Sequence, residues 1–261
     1  MRSPRPDADA VAAHLRNAGC VFADDEARLL LAEHEAGRPL HDMVARRVAG
    51  EPLEQVLGWA ELDGVRVRLR PGVFVPRRRS AALVHAALEV VDREARAVVV
   101  DLCCGSGALG LAVSRSVPHL ELHAADVDPT ACACARDNLD GVGEVHQGDL
   151  LDALPADLAG RVDLLLVNAP YVPTADLATL PREARDHEPV TALDGGVDGV
   201  VLHRRVAADA GAWVRRGGRV LVETSGRQAP LTVAGFAPAD WHVDVLADDD
   251  LGATVVRATR R

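Results

Sequence analysis

The spacing of apolar residues predicts helices in the N-terminal part of the chain. Apolar side chains recur there at helical intervals, which indicates three short amphipathic helices. The first begins after Asp7 or Asp9 and ends at Gly19, and the others cover residues 24–34 and 40–48. Helices this short bury little surface by themselves, so we expect them to pack against a neighbouring unit.

From Gly58 to Pro76 the pattern changes to alternation of apolar and polar residues, which is typical of strands. Residues 65–69 alternate strictly, Pro71-Gly72 predicts a turn, and residues 73–75 follow as a second strand. We therefore predict a β-hairpin between the helical part and the rest of the chain. A helix over residues 80–92 follows it.

The remainder of the chain alternates between predicted strands and helices, which indicates an α/β fold with a Rossmann-like, mainly parallel sheet. Two strands at the C-terminus, joined by a short acidic turn, predict an antiparallel hairpin that closes this sheet. The predicted strands cover residues 98–100, 120–126, 144–147, 162–167, 219–223, 241–246 and 253–258.

The first strand of this sheet leads through Asp101 into a glycine-rich turn that opens a helix. Gly105, Gly107 and Gly110 lie in or just after the turn. Glycines allow backbone N–H groups to approach a ligand closely, and a helix N-terminus favours negative charge. We expect a small ligand with an anionic group to bind here.

Two classes of ligand fit this turn. The spacing Gly-x-Gly-x-x-Gly, with Asp126 or Asp128 as the ribose-binding acid, matches the dinucleotide fingerprint. The spacing Asp-x-x-x-Gly-x-Gly from Asp101 is the usual form in S-adenosylmethionine enzymes. The antiparallel C-terminal hairpin favours the second class, because such a hairpin is typical of methyltransferases that use S-adenosylmethionine.

Polar residues stand at the C-terminal ends of four predicted strands. They are Asp101, Asp126, Asp149 and Asn168. Ligands of parallel sheets bind at the carboxyl ends of the strands, so we expect these four side chains to converge on one pocket.

Net charge and the lengths of apolar runs exclude some classes of function. The chain has 261 residues with a net charge of −10, which argues against broad binding to nucleic-acid phosphates. Arg77-Arg78-Arg79 is a basic run that we interpret as a solvated loop. The sequence has no apolar run of membrane-spanning length, and residues 1–7 lack the apolar core of a signal peptide, so we predict a cytoplasmic protein.

The cysteine pattern does not predict disulfides or a metal centre. Five cysteines are an odd number in a chain without an export signal. Cys103-Cys104 and Cys132-x-Cys134 lack the Cys-x-x-Cys spacing of metal knuckles, so we expect no metal site.

The tetrapeptide Asn168-Ala169-Pro170-Tyr171 resembles the Asn-Pro-Pro-Tyr motif of methyltransferases that act on planar nitrogens. These are the adenine-N6 enzymes and the protein glutamine-N5 group that acts on release factors. Other segments, from Glu51 onward, resemble the glutamine group in particular. They are residues 51–53, 71–77, 188–199 and 217–223 together with Gln228.

This resemblance implies a class I methyltransferase that transfers a methyl group from S-adenosylmethionine to the side-chain amide of a protein glutamine, as in a release factor. Asn168 Oδ1 and the carbonyl of Ala169 would accept the two N–H bonds of that amide, beside Pro170, and Tyr171 would stack on its plane. The implied cofactor-binding residues are Asp101, Cys103, Gly105, Gly107, Asp126, Val127, Asp149, Leu150 and Asn168. The implied domains are an N-terminal helical domain (1–57), a linking β-hairpin (58–77) and a methyltransferase domain (78–261).

The chain departs from the family pattern at four points. Ala169 replaces a proline, Cys103 replaces a glycine, and Arg78-Arg79-Ser80-Ala81 stand where the family has a proline, an acid and a threonine. The helical N-terminal part is also shorter. These changes leave open a paralogue that methylates another protein glutamine or a small amide, or a small-molecule or peptide-tailoring N- or O-methyltransferase.

Other classes of function stay open beside the methyltransferase prediction. An adenine-N6 methyltransferase of nucleic acids shares the tetrapeptide but fits the net charge poorly. A nicotinamide-dependent oxidoreductase and a non-catalytic binding module are further alternatives. We expect neither a membrane nor a nucleic acid as partner.

Overall fold

The computed structural model describes residues 7–92, 94 and 96–261. The prediction that the N-terminus is not a signal peptide concerns residues 1–7, of which 1–6 lie outside the described residues. Within the described ranges, no helix combines the length and the apolar character needed to cross a membrane.

Four helices form the N-terminal part: α1 (Ala8–Asn17), α2 (Ala23–Glu35), α3 (Leu40–Val48) and α4 (Leu53–Leu57). The three predicted helices are confirmed, and the side chain of Asp7 caps α1 by accepting the N–H of Asp9 at 3.0 Å. The short helix α4 was not predicted. These helices share a small core built around Leu15, Leu30, Met43 and Val56.

Residues 65–68 form one strand of a hairpin as predicted, but the strand that pairs with them precedes them in the chain instead of following them. Strand β1 (Trp59–Leu62) pairs antiparallel with β2 (Val65–Arg68). The two residues between them, Asp63 and Gly64, have φ angles of 51° and 74°, and a two-residue turn with both φ positive matches the twist of paired strands. The prediction that residues 73–75 pair with 65–69 is wrong, because Val73 and Val75 instead bury their side chains against Leu69 and Cys134.

A seven-stranded mixed sheet forms the centre of the molecule and confirms the predicted fold class. Its order is β5-β4-β3-β6-β7-β9-β8, in which the first five strands run parallel, β9 is antiparallel to β7, and β8 is antiparallel to β9. The strands are β3 (Ala97–Leu102), β4 (Leu120–Asp126), β5 (Gly143–Gln147), β6 (Val162–Val167), β7 (Val214–Thr224), β8 (Trp241–Asp248) and β9 (Ala253–Arg260).

Helices cover both faces of this sheet and bury two apolar clusters against it. They are α5 (Ala81–Val90), α6 (Ala108–Ser116), α7 (Pro129–Asn138), α9 (Val201–Trp213) and α10 (Ala229–Val233), and a further short helix, α8 (Arg182–His187), lies between β6 and α9 in the chain. The helices α5, α6 and α7 were predicted, whereas α8, α9 and α10 were not. The division of the chain into residues 1–57, 58–77 and 78–261 stays a prediction.

Strand β7 begins earlier than its apolar run suggested. Gly217 and Gly218 were placed before the strand, but they lie inside it, next to an irregularity in its pairing with β6. A Cβ at Gly218 would lie 2.9 Å from the carbonyl oxygen of Val162, so this close approach of two backbones requires glycine.

Candidate active site

A cavity of about 460 Å³ opens at the carboxyl ends of the central parallel strands. This volume lies within the range of cofactor sites. Most of the residues predicted for the site line it: Cys103, Gly105, Asp126, Val127, Asp149, Leu150, Asn168, Ala169, Pro170 and Tyr171.

Two predicted site residues, Asp101 and Gly107, lie behind the turn instead of against the cavity. The Asp101 side chain is wholly buried, and its Oδ2 accepts the N–H of Gly110 in α6 at 2.9 Å. Gly107 has a φ of 76°, and a Cβ there would lie 3.1 Å from Leu139 Cδ1. Asp101 therefore fixes the start of α6, and Gly107 permits close packing against the end of α7.

The environment of Asp101 alters its protonation. Burial raises its pKa to about 7, although the hydrogen bond from Gly110 opposes this shift, and the nearby charge of Asp126 adds to it. Its other oxygen, Oδ1, is buried without a hydrogen-bond partner. This carboxyl group is therefore mainly neutral below about pH 7.

Asp126 holds the glycine turn from the neighbouring strand. Its Oδ2 accepts the N–H of Gly105 at 2.9 Å, and its Oδ1 accepts the N–H of Asp128 at 3.0 Å. Burial raises the pKa of this carboxyl group, and the backbone hydrogen bonds oppose that shift. The side chain thus both shapes the turn and borders the cavity.

Two residues of the cavity wall have strained backbones. Cys103 and Leu150 have φ angles of 57° and 51°, in the left-handed region that non-glycine residues rarely occupy. Such strain costs about 1–2 kcal/mol per residue and accumulates at functional sites. Burial raises the pKa of the Cys103 thiol, so this cysteine is a wall residue and not a nucleophile.

One end of the cavity suits a nucleoside. Val127 is 58% exposed and lines the cavity, so it presents an apolar surface for a flat ring. The carboxylates of Asp126 and Asp149 stand on the same wall and accept hydrogen bonds from hydroxyl or amino groups. Arg205 Nη2 donates to Asp149 Oδ2 at 2.8 Å and steadies that side chain.

At the other end, Asn168 is oriented by Ser80. The Nδ2 group of Asn168 donates to Ser80 Oγ at 3.2 Å. Because Nδ2 binds Ser80, the Oδ1 atom of Asn168 is left to accept a hydrogen bond from a donor in the cavity. Ser80 was not among the predicted site residues, although it lies in the stretch 78–81 where the sequence departs from the family pattern.

Tyr171 belongs to a cluster with Glu223 and Arg79. The Tyr171 hydroxyl donates to Glu223 Oε1 at 3.1 Å, and Arg79 Nε donates to both of these oxygens, at 3.0 Å and 3.2 Å. Only 2% of the Glu223 side chain is exposed, so Arg79 balances a buried charge. Burial, with the charge of Glu223, raises the pKa of Tyr171 and keeps its hydroxyl protonated.

The interpretation of residues 77–79 as a solvated loop is wrong for Arg77 and Arg79, whose side chains bind buried or cavity-lining groups. Arg77 forms an ion pair with the buried Glu188 at 2.5 Å, and Arg79 binds Tyr171 and Glu223. Arg78 is exposed. Glu223 could have been found from the sequence, because it ends a strand of the parallel sheet as the other predicted acids do.

Two segments hold the backbone of Tyr171: Gln228, which directly precedes α10, and the loop between α8 and α9. Gln228 Nε2 donates to the carbonyl oxygens of Tyr171 at 2.8 Å and of Asp198 at 3.1 Å. Gly199 has a φ of 76°, and a Cβ there would lie 2.3 Å from the Tyr171 carbonyl oxygen. The close contact of this loop with Tyr171 therefore requires glycine at this position.

Known proteins similar in sequence support a methyltransferase site. Residues 64–182 match the family described as methyltransferase small domain. The chain is 37% identical to a release factor glutamine methyltransferase of Streptomyces coelicolor, covering 93% of this chain and 88% of that protein. It is 35% identical to the protein of that name from Deinococcus radiodurans, covering 95% of each.

Solved structures share the fold at low sequence identity. A ribosomal protein L11 methylase from Lactobacillus delbrueckii subsp. bulgaricus aligns with a TM-score of 0.53 and 15% identity, covering 75% of this chain and 85% of that one. A 16S rRNA N2 G1207 methyltransferase of T. thermophilus, in complex with AdoMet and guanosine, aligns with a TM-score of 0.55 and 20% identity, covering 78% and 50%.

Proposed function

The chain belongs to the release factor glutamine methyltransferase family, and from this premise we propose that it methylates the side-chain amide nitrogen of a glutamine in a release factor. It is an enzyme, and its methyl donor is S-adenosylmethionine. The roles given below to single residues are part of the proposal.

The cavity residues fit the methyl donor. Val127 provides an apolar surface for the adenine ring, Asp126 accepts hydrogen bonds from the ribose hydroxyls, and Asp149 with Leu150 borders the adenine edge. The turn at Cys103–Gly105 borders the methionine part. When bound, the donor supplies an electrophilic methyl group on a sulfonium ion.

Asn168 and Ala169 orient the acceptor amide. An amide nitrogen is a weak nucleophile because its lone pair is delocalised into the carbonyl group. Asn168 Oδ1 and the Ala169 carbonyl accept its two N–H bonds, and these hydrogen bonds strengthen as the nitrogen gains positive charge. The observation that supports this role is the bond from Asn168 Nδ2 to Ser80 Oγ, because with Nδ2 on Ser80 the Oδ1 atom is left to accept.

Tyr171 stacks on the plane of the acceptor amide. Its hydroxyl is held by Glu223 and Arg79, so the ring has a fixed orientation. Because its pKa is raised, Tyr171 stays a neutral phenol and does not act as a base. The methylated nitrogen is strongly acidic and releases its proton to solvent. Orientation of this kind supplies about 7–11 kcal/mol of barrier reduction in favourable cases.

Replacing Asn168 tests the proposal. In Asn168→Ala we expect methyl transfer into a purified release factor to fall by about 10²-fold or more, as after loss of a transition-state hydrogen bond. Affinity for S-adenosylhomocysteine should stay close to that of the parent enzyme. Labelled-methyl transfer measures the first quantity and calorimetry the second.

Two controls separate the possible outcomes. A release factor whose acceptor glutamine is replaced by glutamate should take up no label. If the parent enzyme binds the cofactor product but labels no release factor, the proposed acceptor is wrong. If Asn168→Ala retains full turnover, the proposed role of Asn168 is wrong, and equal loss of binding and turnover indicates misfolding.

A further inference from the structure

Two histidines and a glutamate meet on the outer pair of parallel strands. In the pairing of β4 with β5, His123 stands opposite Glu144, and His146 lies two residues further along β5. Residues two apart on a strand share a face, so all three side chains project from the same side of the sheet. His123 Nδ1 lies 3.0 Å from His146 Nε2 and 4.0 Å from Glu144 Oε2.

We propose that His123, His146 and Glu144 form a binding site for Zn²⁺. Their donor atoms all lie within 4.8 Å of one another. Two imidazole nitrogens and a carboxylate oxygen suit zinc, whereas magnesium and calcium prefer oxygen ligands alone. Tetrahedral bonds of about 2.0–2.1 Å to zinc place ligand atoms about 3.3 Å apart, so small movements of these side chains admit the ion.

A further carboxylate supports the zinc ligand His123. Only 7% of His123 is exposed, and its Nε2, which has no hydrogen-bond partner, lies 3.5 Å from Glu121 Oε1. Histidine ligands commonly have a carboxylate near the nitrogen that does not bind the metal. With the ring proton on Nε2, toward Glu121, the lone pair of Nδ1 is available to the ion.

The surroundings fix the position of Glu121 and the open side of the site. Arg96 and Arg161 bind the Glu121 carboxylate at 2.9 Å and 3.1 Å. Glu144 is 75% exposed, so the fourth coordination position faces solvent and takes water. Arg136, which donates to the Val145 carbonyl, also contributes positive charge near His146.

The site ties the edge strand to the sheet. Strand β5 is outermost, and an unprotected edge strand is a weak point of a sheet. A zinc ion held by one residue of β4 and two of β5 links these strands. The sequence contained no metal motif because the two histidines are 23 positions apart and meet only through strand pairing.

Titration of ZnCl₂ into the chelator-treated full chain tests the site. At about pH 7.5, where imidazole is neutral, we expect one equivalent to bind with a micromolar or lower Kd. His146→Ala should weaken binding by more than the roughly 10–100-fold that loss of a ligand's supporting partner costs. Glu144→Gln, an exposed change that does not threaten folding, should weaken it by about 10-fold.

His242→Ala is the matched control. His242 lies on β8, the opposite edge strand, 3.3 Å from the carboxylate of Asp244. Its replacement should leave zinc affinity unchanged. The proposal is overturned if the parent chain binds no zinc, or if His146→Ala and Glu144→Gln both bind it as tightly as the parent does, since the ion would then occupy cysteines or other groups.

Discussion

At the scale of single residues, burial sets the protonation and the orientation of groups around the cavity. Asp101 is wholly buried at the end of β3, whereas Tyr171 is fixed by a buried carboxylate and an arginine from a distant segment. The sequence marked Asp101 and Tyr171 as site residues. It could not show that Asp101 faces away from the cavity, because a strand end fixes where a residue lies but not which neighbour its side chain meets.

Asp101→Asn should change how stability depends on pH. The pKa of Asp101 rises from 3.8 to about 7 in the folded chain. Between these values the unfolded chain releases the proton while the folded chain retains it, so the free energy of unfolding falls as pH rises, by up to about 1.4 kcal/mol per pH unit. Urea unfolding from pH 5 to 8 should show this decline in the parent relative to Asp101→Asn. If the free energies of unfolding of the parent and of Asp101→Asn change with pH in parallel, the raised pKa of Asp101 is contradicted.

Arg79→Gln should lower kcat more than it raises KM. The arginine holds the Tyr171 hydroxyl and balances buried Glu223, so its loss misplaces the tyrosine ring by a small distance. Misplacement of about 1 Å can cost up to about 10²-fold in rate. Steady-state kinetics of Arg79→Gln and Arg79→Lys, with partial recovery in the lysine variant, measure the effect.

Arg78→Gln is the control for that comparison. This neighbour is exposed and does not line the cavity, so its replacement should leave kcat and KM unchanged. A rise in KM with unchanged kcat in Arg79→Gln would mean that Arg79 binds the acceptor and does not position Tyr171.

At the scale of elements, local signals predicted most of the sheet and misassigned one turn. The strands β4 and β6 have the predicted bounds because each ends where an apolar stretch meets a polar residue, Asp126 in β4 and Asn168 after β6. In the hairpin, Pro71-Gly72 was preferred as the turn, but Asp63-Gly64 is the turn that joins paired strands. Helix α9 was missed, and the loop before it contains Gly199, which contacts the Tyr171 backbone.

Replacing two glycines with alanine, one at a time, should have opposite effects on the free energy of unfolding. Gly199→Ala places a Cβ against the Tyr171 carbonyl at a positive φ, so it should destabilise the protein by more than the about 1–2 kcal/mol of left-handed strain alone. Gly211 lies in α9 with open space around its Cα, so Gly211→Ala should stabilise by about 0.4–1 kcal/mol. Chemical unfolding compares the two, and equal effects would contradict the described packing.

At the scale of the whole molecule, one arginine joins the N-terminal helices to the active-site region. Arg47 of α3 binds Glu26 of α2 through two hydrogen bonds, at 2.6 Å and 3.1 Å, and Glu183 of α8 at 2.6 Å. Glu183 also lines the cavity. The helical unit therefore contacts the segment that follows Tyr171.

Replacing Arg47 and replacing its partner Glu183 should lower the free energy of unfolding by unequal amounts. Arg47→Gln leaves Glu26, whose side chain is 8% exposed, without its cation and should destabilise by about 3–5 kcal/mol. Glu183→Gln removes a half-exposed partner and should cost less than about 1 kcal/mol. Urea unfolding of both variants measures the difference, and similar losses would mean that Arg47 gains little from Glu26.

Local patterns in the sequence predicted the seven strands of the central sheet, the glycine turn and the residues at the strand ends, because strand and helix periods, caps and turn residues act over a few positions. The sequence therefore predicted the α/β fold, and most of its predicted site residues line the cavity. Local patterns do not show which distant side chains meet, because that depends on how the whole chain packs. Arg79 and Tyr171 are 92 positions apart, and Arg47 and Glu183 are 136 apart. Such contacts depend on strand order and helix packing, which no local pattern encodes.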